Sequence, residues 1–273
     1  EKKLMFISQL DSASKIKIYK NTILKDFNGK KMSGESNPLH YLYDFLNSYS
    51  FGSLNNSNII EDQHKELISS SVLGLIFEKI NGYKDGSFYT PSYVTTFMSK
   101  NILEKIVIDK FNEINGWNCQ NLNDLYDKIQ NRSEANDIIN NLKICDPAVG
   151  SGHYLVSMLN EIIKLKSDLG ILEDKNGKKI RDYKILIEND DLAIKTIDNE
   201  YFTYKRPKTV SDNHIVQETI FLEKQKIIEN CLFGVDINRN SVNICRLRLW
   251  IELLKHTYYT EESGFESLQI LPN

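Results

Sequence analysis

The sequence predicts an α/β fold in which a helical N-terminal region precedes strand–loop–helix units. Three observations carry that reading. Apolar residues recur at helical spacing through the first part of the chain. The period changes at Leu142, where a short apolar strand runs into a glycine-rich turn and then an apolar helix. A second strand at 231–236 again ends in an acid and leads into a helix. The division falls near residue 85, with a helical N-terminal region at 1–85 and an α/β domain at 86–273 that carries a β-hairpin insertion at about 168–207.

Each element has its own signal. Leu39, Tyr41, Leu42, Phe45 and Leu46 fit a short amphipathic helix, and 55–58 reads as a loop. Over 63–80, Leu67, Ile68, Val72, Leu75, Ile76 and Ile80 share one helical face, and Asn81-Gly82 ends the run. A further helix starts near Ser92, with Val94, Phe97, Met98, Ile102 and Ile106 expected inward. The stretch 118–139 is helical in parts. The strand at 142–146 feeds a helix at 153–166, whose Tyr154, Leu155, Met158, Leu159, Ile162 and Ile163 face inward. Strands at 183–187 and 192–196, joined by 188–191, form the inserted hairpin on the surface, and Asp174 to Gly177 is a turn. Helices follow at 215–230 and 240–255, the latter with Trp250 in the core.

Composition narrows the function classes. At 273 residues and 31.6 kDa, with 41% hydrophobic and 26% charged residues, the chain can build a core, which excludes whole-chain disorder and a fibrous protein. No apolar run approaches the ~18 residues of a membrane span, and no signal-peptide pattern follows the charged start, so a cytoplasmic location is expected. The net charge of −3 and pI of about 6.0 are acidic for a stand-alone nucleic-acid module. Lys15, Lys17, Lys20, Lys25, Lys30 and Lys31 read as a solvated face rather than a phosphate grip. Cys119, Cys145, Cys231 and Cys245 lack ligand spacing and the histidines form no HxxxH pair, so neither a disulfide framework nor a metal site is expected.

The chemistry concentrates in Asp146-Pro147-Ala148-Val149-Gly150-Ser151-Gly152, between a strand and a helix. Glycines there allow a tight turn and close approach of a ligand, and the helix start offers unpaired N–H groups. Ligands of open α/β sheets sit at the carboxyl ends of strands, where Asp146 falls; its carboxylate can face a cationic group. Asp236 ends the next strand, a position suited to ribose hydroxyls. The interval between the two exceeds the roughly 20 residues of a dinucleotide fingerprint. Taken singly these features have plainer readings: a turn, a helix cap at Asp236, a helix entry at Tyr89-Thr90-Pro91, a packed or capping His153 and a solvated loop at Asn238-Arg239-Asn240.

In order, Gly86-Ser87-Phe88-Tyr89-Thr90-Pro91, Asp146 to Gly152 and Phe233-Gly234-Val235-Asp236-Ile237-Asn238 resemble motifs X, I and II of the gamma-class N6-adenine DNA methyltransferases, closest to those in large type IIG restriction–modification polypeptides. The resemblance covers roughly Glu66 to Tyr259, including Val72 to Glu78 before motif X. It implies a partial Rossmann-like, S-adenosylmethionine-dependent methyltransferase sheet. Tyr89, Thr90 and Pro91 would line the methionine end of the cofactor. Asp146, Pro147, Ala148, Gly150, Ser151 and Gly152 would hold its amino and carboxylate groups. Asp236 would hold the ribose, with Ile237 against the adenine. Double-stranded DNA would be met through the full-length protein, together with the remaining catalytic and target-recognition regions of the same polypeptide, and no membrane is involved.

The family's Asn/Asp-Pro-Pro-Tyr/Phe motif, which holds a flipped adenine, does not occur in these 273 residues. The expectation is therefore a fragment that does not itself methylate DNA, with an open sheet edge and uncovered apolar surface. Two rivals stand beside it. A nicotinamide-dependent oxidoreductase would explain Gly-x-Gly with a later acid, but the third glycine is missing. A non-catalytic module in a defence complex would explain the missing motif.

Overall fold

The computed structural model describes residues 90–269 apart from 189, and before them 15–22, 24–25, 29–38, 40–41, 44, 49–51 and 66–68. The chain divides into Glu1–Ser69 and Ser70–Asn273. The expected boundary near 85, the loop at 55–58, the helix end at Asn81-Gly82 and the motif residues Gly86 to Tyr89 lie outside the described residues.

In the first unit, β1 (Ile16–Lys17) pairs antiparallel with β2 (Glu35–Ser36). Ile18 and Leu24 are buried, and the main-chain bonds Ile18 N to Gly34 O and Met32 N to Leu24 O close the pair. Pro38, His40, Tyr41 and Asp44 are helical, where the helix at Leu39 to Leu46 is expected. The start of the helix expected over 63–80 is corrected. Glu66–Ile68 is a strand, β4, parallel to β3 (Tyr49–Phe51) in the register Tyr49↔Glu66. An apolar pair such as Leu67-Ile68 fits either period, and pairing with a second strand decides it.

The second unit is mixed α/β, with small two-stranded sheets among the described residues. Its helices are α1 (Ser92–Asn115), α2 (Leu122–Lys128), α3 (Arg132–Asn140), α4 (His153–Asp168), α5 (Asp212–Asn230) and α6 (Arg239–Leu254). Caps set several starts: Asn121 accepts from Asp124 N, Asn131 from Glu134 N and Ser211 from His214 N. Gly116, at φ 66°, ends α1 in the left-handed conformation.

Strands β5 (Ile144–Asp146) and β8 (Leu232–Gly234) pair in parallel, Ile144↔Leu232 through Asp146↔Gly234. α4 follows β5 and is buried on nearly every side. Its Leu155, Met158, Leu159, Ile162 and Ile163 join Leu103, Val107, Ile139, Ile220 and Ile227 in one core. The inserted hairpin pairs β6 (Tyr183–Glu188) antiparallel with β7 (Asp191–Thr196). It is not a surface appendage. Ile185, Leu192 and Ile194 belong to the core, because β6 packs on α4.

Two apolar faces differ from expectation. Along α1 the buried stripe is Thr95, Ser99, Leu103, Val107 and Phe111, while Phe97, Met98, Ile102 and Ile106 are exposed. The small Thr95 and Ser99 let α1 approach α4, where Thr95 Oγ1 lies 3.1 Å from Ser157 Oγ. Trp250 is 45% exposed because α6 turns Cys245, Arg248 and Glu252 inward instead. No helix among the described residues is long and apolar enough to cross a membrane.

Candidate functional site

The parallel β5–β8 pair brings both strand-end acids to one edge. Asp146 and Gly234 are register partners, and Val235 N donates to Asp146 O at 2.9 Å, so Asp236 follows directly beside the glycine-rich turn. Val149 N donates back to Val235 O at 2.9 Å, which stitches the turn to the chain leaving β8. Asp146 Oδ1 accepts from Ala148 N at 3.0 Å and starts the turn. Asp236 accepts from Gly150 N at 2.9 Å on Oδ2 and from Asn238 N at 2.7 Å on Oδ1. A carboxylate has about four acceptor positions, so Asp236 keeps capacity for hydroxyl donors.

The turn needs glycine for two physical reasons. Gly150 and Gly152 have φ of 51° and 82°, which side chains disfavour. A Cβ on Gly152 would also stand 2.6 Å from Cys245 Sγ. Gly234 is likewise closed in, with Val149 Cγ2 2.7 Å from where a Cβ would be.

Beneath the turn is a buried arginine. Arg248 of α6, 1% exposed, donates from Nη1 to Ser151 O at 3.2 Å and to Ser151 Oγ at 3.1 Å. The same nitrogen is 3.2 Å from His153 Nδ1. A guanidinium only donates, so Nδ1 can only accept in this contact. His153 thus packs under the turn, as its plainer reading has it. Burial pushes the Cys245 thiol up to about 11, with Arg248 opposing and Asp146 adding, so it stays protonated against Gly152. Burial, then Asp146, also raises Tyr154.

The other predicted site residues are distributed as follows. Tyr89 lies outside the described residues. Thr90 and Pro91 are exposed at the head of α1, and Pro91 O accepts from Val94 N and Thr95 N. Thr95 meets Ser157, and further along Lys100 and Glu104 act electrostatically on Glu161, so α1 and α4 run in the same direction. Pro91 and Gly152, which precede the two helices, therefore lie at the same end. Pro147 and Ala148 are exposed, Ser151 and Gly152 buried, and Ile237 is fully exposed beside Asp236. Asn238 is a cap rather than a free loop residue, since its Oδ1 accepts from Asn240 N at 2.9 Å.

Sequence reasoning missed Arg248 and Cys245. Their signal is the i,i+3 spacing that puts both on the face of α6 turned toward the glycine turn, but a charged residue in a helix reads first as surface. It also missed a cluster on α5. His214 and Glu218 are one turn apart and join Glu261, with ligand-type atoms of the three all within 4.8 Å of one another.

Comparison with known proteins adds the following. Residues 1–68 match the family model of a domain of unknown function, DUF7814. The chain is similar to a protein of Methanocaldococcus jannaschii named "Putative type II restriction enzyme and methyltransferase", with 30% identity over 233 residues. The match takes in 78% of this chain and 16% of that relative, so the chain spans a small part of the relative's length. No solved structure matches the chain.

Proposed function

We propose that this chain carries the S-adenosylmethionine-binding part of a DNA adenine-N6 methyltransferase of a restriction–modification or related phage-defence system. One observation carries the reading: the turn from Asp146 to Gly152 is held by main-chain and carboxylate bonds against Asp236 at the end of the adjoining parallel strand. The similarity to a relative named as restriction enzyme and methyltransferase supports the class. The Rossmann-like description of the wider sheet belongs to this proposal, with β5 and β8 as two of its strands.

The residues present fit the cofactor's groups. Asp146 offers a carboxylate to an ammonium or sulfonium, and Pro147, Ala148, Gly150, Ser151 and Gly152 offer main chain at a helix start. Asp236 would accept from the ribose hydroxyls, and the exposed Ile237 would cover one adenine face. Tyr89, Thr90 and Pro91 would close the methionine end. Bound there, S-adenosylmethionine would supply an electrophilic methyl group. Arg248 acts from below as a positioning residue, by fixing Ser151. Methyl transfer to double-stranded DNA is proposed only of a polypeptide that also supplies the Asn/Asp-Pro-Pro-Tyr/Phe motif and target recognition.

Calorimetric titration with S-adenosylmethionine tests the reading. Saturable binding that weakens at least ~10-fold in Asp236→Asn is expected, since a hydrogen bond to a charged group contributes roughly 1.5–3 kcal/mol. Equal affinity for wild type and variant would defeat the ribose assignment. Binding of NAD in place of S-adenosylmethionine would move the chain to the oxidoreductases.

A further inference from the structure

His214 is the third residue of α5 and its side chain is buried. Its Nδ1 lies 3.1 Å from the Tyr204 hydroxyl, which itself accepts from Tyr259 N at 3.1 Å. Its Nε2 is buried with no hydrogen-bond partner among the described residues. The rings of Tyr258 and Phe265 stand edge-on to it, at 5.8 and 5.2 Å between centroids. One turn on, Glu218 is buried on the same helical face, and Glu261 reaches the same point from the C-terminal segment. The ammonium of Lys175 pairs with both carboxylates, at 3.4 Å from Glu218 Oε1 and in closer contact with Glu261.

Lys175 accounts for only part of this arrangement. It neutralises one of two carboxylates and leaves the imidazole nitrogen unsatisfied, which is costly in a buried site. A divalent cation balances both carboxylates and takes the ring nitrogen. Ligating histidines are oriented by a hydrogen bond on the other nitrogen, the place Tyr204 holds. A nitrogen with two carboxylate oxygens suits zinc and its neighbours better than magnesium, which prefers oxygen and water.

We propose that His214, Glu218 and Glu261 form a binding site for a divalent transition metal of the zinc type, with Lys175 as the cation that the metal displaces. The site would staple two segments that are far apart in sequence, the start of α5 and the C-terminal segment bridged at Tyr259↔Leu268, while releasing Lys175. It does not rest on the methyltransferase reading.

The test is calorimetric titration of the metal-stripped 273-residue chain with zinc chloride. One equivalent is expected to bind. Glu261→Gln, isosteric and at an exposed position, should weaken binding at least ~10-fold by removing a ligand, and Tyr204→Phe about 10-fold through orientation of the ring. Lys175→Met, which removes the competing ammonium, should tighten it about 10-fold. Absence of saturable binding in both wild type and Lys175→Met would overturn the site. Unchanged affinity in Glu261→Gln would do the same by placing the zinc elsewhere.

Discussion

Leu232 and Phe233 are adjacent in β8 and have opposite surroundings. Leu232 and its register partner Ile144 meet the core, while Val149 and Leu155 close over Gly234. On the other face Cys145, Phe233 and Val235 are exposed, and the Lys143 ammonium lies over the Phe233 ring at 5.6 Å. Parallel sheets are ordinarily covered on both sides. Here β8 packs on α4 and α5 from one side, and the other face leaves apolar side chains exposed.

The packed side owes much to ions buried behind it. Lys224 of α5 and Lys255 both bond Glu252, and Lys255 also bonds Asp191 at the start of β7. Removing the shared acid takes the carboxylate partner from buried Lys224 and leaves Lys255 with Asp191, so Glu252→Ala should cost about 4 kcal/mol in urea unfolding. A loss below ~1 kcal/mol would mean that the network contributes little. Next in size, Leu232→Ala should cost about 3 kcal/mol, whereas Phe233→Ser on the open face should change stability by no more than about 0.5 kcal/mol. Equal losses would show that both faces are covered in solution. Gly152→Ala is expected to cost about 2 kcal/mol through its left-handed φ and its contact with Cys245, and Cys245→Ala in the same chain should recover only the contact part.

The pH response sharpens the same contrast. Burial pushes Glu252 up, but Lys224 and Lys255 together outweigh it and hold the carboxyl well below its ordinary range. Burial, then Lys224, keeps His256 well below its ordinary 6.5. A pKa lowered by folding stabilises above the unfolded value and loses that contribution as pH falls. The His256 share should therefore decline below pH 6.5 and the Glu252 share below pH 4.5, which urea midpoints measured across that range would show. The smallest effect is chemical: iodoacetamide should modify the exposed Cys145 and spare Cys245, whose thiol is buried and protonated.

The sequence was most legible where one period and one cap agree. α4, α5, α6 and the β6–β7 hairpin lie within a few residues of expectation, because the glycine turn before α4 and the caps at Ser211 and Asn238 mark where the helices start. The juxtaposition of Asp146 and Asp236 was legible for the same reason, since each acid closes a strand that leads into a helix. The buried face of α1 was not, because that helix is apolar on two sides and only the Thr95–Ser157 approach selects one. β4 needed a partner strand that no local pattern announces. Arg248 and the ions at Glu252 escaped because charge reads as surface until a buried counterpart is known.

Asp236 links two turns by spending each of its oxygens on a different main-chain amide, Gly150 on one side and Asn238 on the other. The glycine bend is thereby tied to the residue that caps α6, so a ligand that shifted the bend would pull on the start of that helix.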